Sequence, residues 1–228
     1  MSLLQNICFI DFDVFMELPD WFKGFEEGIA CLPAGQREAF FRECGRNCVE
    51  AESATIMVQR YHSPCGDLLL GSFGGRLCLC DWAVERPRDT VDRRLKKILR
   101  ADYVEATSDV IREASLQLDE YFAGRRSQFD IPLLFTGTDF QKKVWRRLLE
   151  IPYGNTVSYG DLSKSLGCPA SVRAVANANG ANAISVFIPC HRVIGIDGSL
   201  TGYAGGLGAK KVLLDLERRS LYSMNERI

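Results

Sequence analysis

The stretch Tyr159-Gly160-Asp161-Leu162-Ser163-Lys164-Ser165-Leu166-Gly167-Cys168-Pro169-Ala170-Ser171-Val172-Arg173-Ala174-Val175-Ala176-Asn177-Ala178-Asn179-Gly180 decides how the chain is read. It divides at Gly167-Cys168-Pro169, a tight turn, into a short helix over Tyr159 to Leu166 and a second helix from about Ala170 to Gly180, a helix-turn-helix candidate. Upstream, Phe140, Val144, Leu148 and Leu149 form an apolar stripe at helical spacing behind a Thr138 or Asp139 cap, and Pro152-Tyr153-Gly154 ends it. Earlier still, the alternation of Ile56, Val58 and Arg60 leads through Pro64-Cys65-Gly66-Asp67 into a strand over Leu68 to Ser72. A Gly74-Gly75 turn and a strand over Leu77 to Trp82 then complete an antiparallel meander. Asp109 to Phe122 places Ile111, Ala114, Leu118 and Tyr121 on one helical face that can cover the sheet.

Helix on sheet, followed by a run of helices, defines an α/β (α+β) fold with its boundary in the connection near residues 130 to 138. Three segments result: an acidic extension over 1–54 whose role is open, a small sheet-and-helix domain over 55–136, and a mostly helical domain over 137–228. The extension has a strand-like run at Ile7 to Phe12 and helix-like stretches at Trp21 to Leu32 and Gly35 to Cys48.

Of the 228 residues 46% are hydrophobic, ample for packed cores. The longest apolar runs, such as Ala183 to Ile188, fall far short of the roughly 20 residues a membrane span requires, and the acidic start does not read as a signal peptide. Nine cysteines, an odd number, suit free thiols in a reducing compartment, so a cytoplasmic protein is expected. Cys44 and Cys48 stand four apart and could join Cys8 or Cys31 around a metal, but the spacing is not a zinc signature and no metal ligand is assigned. Leu77-Cys78-Leu79-Cys80 alternates as a strand does, and His62 has no partner evident in the sequence. The overall net charge of −1 conceals a gradient of −6 over 1–54, 0 over 55–136 and +5 over 137–228. The basic last third is the place to look for nucleic acid.

Chemistry concentrates at Ile188-Pro189-Cys190-His191-Arg192-Val193. A nucleophilic cysteine needs thiolate character, and a free thiol with a pKa of about 8.5 is mostly protonated at neutral pH. His191, one of two histidines, supplies a base beside Cys190, and Pro189 restricts the turn. Neighbouring residues need not face each other, so the proton would pass through a water, and a third group must orient the imidazole. Glu217, in the apolar helix around Leu213, is the candidate orienter. Taken singly these residues have ordinary readings: a packed thiol, a solvated arginine at 173, half-buried tyrosines at 159 and 203. Their joint spacing carries the case.

That spacing resembles the O6-alkylguanine-DNA alkyltransferase (methylated-DNA-protein-cysteine methyltransferase) family. The resemblance runs through Val157-Ser158-Tyr159-Gly160-Asp161-Leu162, Val172 to Ala178, Asn182, Ile188 to Gly195, Thr201-Gly202-Tyr203-Ala204-Gly205-Gly206, Lys210 and Leu213 to Glu217. It covers residues 137 to 220 strongly and 55 to 136 weakly, through Tyr61, Pro64-Cys65-Gly66, Leu118, Tyr121 and Gly124; residues 1 to 54 have no recognised counterpart.

The family implies a ribonuclease H-like domain followed by a winged-helix-like DNA-binding domain. It implies irreversible, stoichiometric transfer of a methyl or other alkyl group from O6-alkylguanine to Cys190 after base flipping, with O4-alkylthymine an open extension. His191 would take the thiol proton through water, Glu217 would hold its ring, and Asn182 would tie down the turn. Tyr159 would donate its proton to the departing base. Tyr203 and Ala204 would line the pocket, and the carbonyls of Cys190 and Val193 would recognise the exocyclic amine. Arg173 would fill the gap a flipped base leaves. Ser171, Ala174 and Ala176 would bring the second helix against the minor groove, where little sequence is read. The implied partner is double-stranded DNA bound by a monomer, with no cofactor and no membrane. Ala183 and Ala204 stand where many relatives carry proline and some carry serine, which leaves the preference between methyl and bulkier groups open. A lesion sensor on the same helix pair and a cysteine hydrolase built on Cys190 and His191 are the rival readings.

Overall fold

The meander appears as β1 (Thr55–Ser63), β2 (Gly66–Phe73) and β3 (Arg76–Trp82), in a computed structural model that describes residues 55–83 and 89–225. The expectations for residues 1–54, including the strand-like and helix-like stretches and the cysteines at 8, 31, 44 and 48, lie outside the described residues. Gly74 and Gly75, both at positive φ (54° and 72°), form the two-residue turn between β2 and β3 that only paired left-handed conformations allow without splaying the strands. His62 does have a partner: its Nδ1 lies 2.7 Å from Asp67 Oδ1, directly across the β1–β2 hairpin.

The polar stretch after Trp82 contains two further elements. In α1 (Asp89–Leu99) Leu95 is fully buried and Val91 and Leu99 pack partly buried against the core. The four-residue β4 (Asp102–Glu105) is mostly exposed and acidic, as short edge strands often are. It pairs parallel to β1 and completes the order β3-β2-β1-β4. α2 (Asp109–Phe122) buries the face that its spacing predicts, with Ser108 as its cap.

α3 (Asp139–Leu149) begins with a capping box in which Thr138 and Gln141 each satisfy the other's backbone N–H. Its buried face differs from the expected stripe. Val144, Trp145 and Leu148 face inward, while Phe140 and Leu149 are 38% and 44% exposed. The indole decides this, because Trp145 Nε1 reaches the Ala178 carbonyl at 2.8 Å and rotates the helix around that contact. Beyond it lie β5 (Val157–Ser158), α4 (Tyr159–Ser165), a 3-10 turn at Pro169–Ser171, α5 (Val172–Gly180), a 3-10 turn at Cys190–Arg192, β6 (Val193–Ile194) and α6 (Gly206–Asn225). β5 and β6 form a small parallel pair. The second helix of the pair opens two residues later than expected, since Pro169 starts a 3-10 turn first.

The free edge of β3 joins these layers. Leu77 exchanges backbone hydrogen bonds with Pro132 and Leu134, and Cys80 does so with Ala183 (2.8 Å) and Ser185 (2.6 Å), in the segment leading to Cys190. An edge that would otherwise invite aggregation is thereby covered. One continuous hydrophobic core runs from Ile56 to Leu213, and the described residues form one compact unit. Among the described residues no helix is long and apolar enough to cross a membrane.

Candidate active site

The nucleophile segment is built as a braced turn. Val186 has a φ of 72°, a left-handed conformation that a β-branched residue adopts only under compulsion. The compulsion is visible in the bonds to Cys80, in Ile188 N–H donating to Ile184 O at 2.9 Å, and in Phe187 packed against Phe129 with ring centroids 4.4 Å apart. Asn182 closes the turn: its Nδ2 donates to Ile188 O (3.0 Å) and to Cys190 Sγ (3.2 Å), while its Oδ1 accepts from Ile184 N–H (2.9 Å). Cys190 itself is only 5% exposed.

The 3-10 turn then sends His191 and Arg192 inward to α6. His191 Nε2 lies 2.8 Å from Glu217 Oε1, and both side chains are fully buried. Arg192 binds the same carboxylate through Nε at 3.0 Å and a terminal nitrogen at 3.0 Å, and reaches the Ile151 carbonyl at 2.6 Å. The Gly154 amide donates to Glu217 Oε2 at 2.9 Å. Gly154 has a φ of 73°, and a Cβ there would lie 2.2 Å from Leu221, so that approach requires glycine. Lys210, also fully buried, donates to the carbonyls of Val193 (2.6 Å) and Thr201 (2.7 Å).

Beside this core lies a cavity of about 550 Å³ whose wall includes Tyr159, Arg173, Ala176, Tyr203 and Ala204. Asn179 connects it to the nucleophile, since Nδ2 approaches the Tyr159 hydroxyl (3.5 Å) and the Cys190 carbonyl (3.4 Å). Tyr203 stands edge-on to Trp82 at 5.8 Å. Gly205 lies flat on the same indole, where a Cβ would come within 2.4 Å. Arg173 and Ala174 are exposed on α5, and Ser171 and Ala174 lie outside the cavity wall. Sequence reading gave no site role to Arg192, Asn179, Tyr121 or Lys210, which it met only within longer stretches, because their contacts join residues far apart in the chain.

Electrostatics define the resting state. Burial pushes the Cys190 thiol up to about 11, against the Asn182 amide and the Lys210 ammonium, which pull it down. The thiol is therefore protonated. Burial pushes His191 below the ordinary imidazole value, with Glu217 pulling the other way. Burial would raise Glu217, but hydrogen bonds and charge from His191 and Arg192 overcome it and hold the carboxyl at about 2. An ionised carboxylate accepts from Nε2–H, which fixes the tautomer and leaves Nδ1 as an acceptor. That buried Nδ1 has no hydrogen-bond partner among the described residues.

A sheet domain that braces a buried thiol, a base held by a carboxylate, and a helix pair carrying an arginine beside a cavity define a cysteine-nucleophile transferase with a helix-turn-helix. Two family models match it: the 6-O-methylguanine DNA methyltransferase ribonuclease-like domain over 56–135 and the DNA-binding domain of the same name over 139–219. The chain belongs to the 6-O-methylguanine DNA methyltransferase family.

It is 52% identical over 121 residues to the methylated-DNA–protein-cysteine methyltransferase of Methanosarcina barkeri, spanning 53% of this chain and 76% of that one. The crystal structure of Mycobacterium tuberculosis O6-methylguanine methyltransferase is 39% identical, covers 73% of this chain and 94% of its own, and superimposes with a TM-score of 0.62. The structure of Mycobacterium tuberculosis OGT in complex with DNA gives 40%, 72% and 94%, and again 0.62. The fold is thus the ribonuclease-like sheet domain and helical DNA-binding block that the resemblance implied.

Proposed function

We infer that this protein repairs DNA by moving the alkyl group of an O6-alkylated guanine onto its own Cys190. The observation that carries the reading is the unpartnered Nδ1 of His191, held neutral by burial and fixed in tautomer by Glu217, beside a thiol too buried to ionise alone. As Cys190 Sγ attacks the alkyl carbon, the thiol proton passes through a water to His191 Nδ1. The S–C bond forms as the C–O6 bond breaks, and guanine leaves with the bonding pair. Asn182 and Lys210 stabilise negative charge on sulfur. Tyr159, which burial keeps protonated, gives its proton to the departing base.

The balance requires no cofactor. The thioether has no easy route back, so each molecule acts once. Tyr203, Ala204 and the Val193 carbonyl receive the flipped base, Arg173 occupies its place in the stack, and Ser171, Ala174 and Ala176 lie along the minor groove. Residues 55–136 and 137–228 act as the two domains of a cytoplasmic monomer, and the acidic 1–54 segment stays off DNA by charge repulsion.

Incubation with a duplex carrying radiolabelled O6-methylguanine tests this. One label per molecule on Cys190, absent in Cys190→Ala, is expected; tight DNA binding without label would mark a lesion sensor, and repeated turnover a hydrolase. A related expectation concerns Asn182→Ala. Losing the amide at sulfur and the brace on the turn should slow transfer about 10- to 100-fold in single-turnover assays. An unchanged rate would remove Asn182 from the reaction.

A further inference from the structure

The Glu217 carboxylate receives more donors than orienting one imidazole requires. Besides His191, Arg192 and the Gly154 amide, the Tyr121 hydroxyl donates to Oε1 at 2.8 Å, the same oxygen and the same distance as His191 Nε2. Tyr121 comes from α2, the helix on the sheet, whereas the other donors belong to the block that carries the nucleophile. It is fully buried, with its ring edge-on to Phe122 and Tyr153 and tilted against Phe129, so its hydroxyl has one direction available.

Donors on one oxygen compete, because each withdraws charge that the other would use. We propose that Tyr121 is a positioning residue for alkyl transfer: by sharing Oε1 with His191 it limits how strongly Glu217 favours the imidazolium and so keeps His191 available as a base. This rests on the reading of His191 as the base. The other groups facing the pair are Arg192 and Lys210, whose charges disfavour a proton on His191, then Cys190, and Tyr203 with its ring 6.4 Å away. Tyr153 lies against the far side of the Arg192 guanidinium at 5.6 Å. Apart from His191 and Arg192, Tyr121 alone among these side chains bonds to Oε1. Its phenol remains a donor throughout, since burial beside an anion pushes its ionisation well above the ordinary value.

Tyr121→Phe keeps the ring and removes the hydroxyl. The His191 titration midpoint, followed by imidazole NMR, should rise by about 0.5 to 1 pH unit. The acid limb of the single-turnover rate with free O6-benzylguanine should rise with it. The only other histidine, His62, sits on the β1–β2 hairpin and provides an internal reference. A residue that merely packs would lower rate or stability at every pH and leave both midpoints in place, and that result overturns the proposal. Should the variant fail to fold, a fluorinated tyrosine at position 121 is a stronger donor and should move both midpoints downward; unmoved midpoints would again overturn it. His191→Ala separates the two ideas, because an undiminished rate there removes the base itself, whatever Tyr121 does.

Discussion

Glu217→Ala is expected to slow alkyl transfer by about 100-fold or more and to destabilise the fold by roughly 3–5 kcal/mol. The substitution frees His191 to rotate and leaves the Arg192 guanidinium, the Tyr121 hydroxyl and the Gly154 amide without their acceptor in a fully buried site. An uncompensated buried charge is the larger cost. Glu217→Gln keeps the volume and separates the two effects through pH. The carboxyl is held at about 2, against an ordinary value of 4.5. A depressed carboxylate contributes stability that is fully present above the unfolded value and is lost as pH falls through the folded one. Wild-type protein should therefore lose on the order of 3 kcal/mol between about pH 4.5 and 2 from this group. Denaturant midpoints across that window should lack this contribution in Glu217→Gln. Equal acid sensitivity in the two proteins would show that the ion pair does not carry it.

Arg173→Ala should discriminate between substrates. Free O6-benzylguanine enters the cavity without any duplex to open, so its reaction should change less than threefold, within roughly 0.7 kcal/mol. Repair within a duplex should fall by about 100-fold, the equivalent of roughly 3 kcal/mol of unstacking left uncompensated. Arg173 is exposed on α5 at the cavity wall, so its removal leaves the core intact. Equal losses on both substrates would remove it from the flipping role. A loss on the duplex that is largest at low salt and shrinks as salt rises would instead mark it as a phosphate contact.

Much of this site was legible before any coordinates. Cys190-His191 alone reads equally as a packed thiol beside a histidine, and it is the family spacing that marks it as a candidate site and links it to Asn182, Tyr159, Glu217 and Arg173. Local signals also located the meander, α2 and the helix pair, because alternation, paired glycines and helical spacing act over a few residues. In the stretch after Trp82, α1 does carry helical spacing, at Val91, Leu95, Ile98 and Leu99, but set among so many charged residues that the stretch reads as polar. β4 is a short polar edge strand of four residues, too brief for alternation to mark it. The stripe in α3 held at Val144 and Leu148 but not at Phe140 and Leu149, because Trp145 turns inward to a carbonyl 33 residues away.

What the sequence by itself determined is the family and the local frame: the meander, the helix pair and the Cys190-His191 segment as the candidate site, since these depend on residue type and near spacing. The tertiary structure alone decided how that chemistry is held. It set the tautomer of His191, leaving Nδ1 without a partner among the described residues while Glu217 takes Nε2. It brought Tyr121 across 96 residues to the same carboxylate. It also covered the edge of β3 with the segment before Cys190. The physical reason is common to all three: hydrogen bonding and desolvation depend on distance and burial in space, which no pattern along the chain encodes.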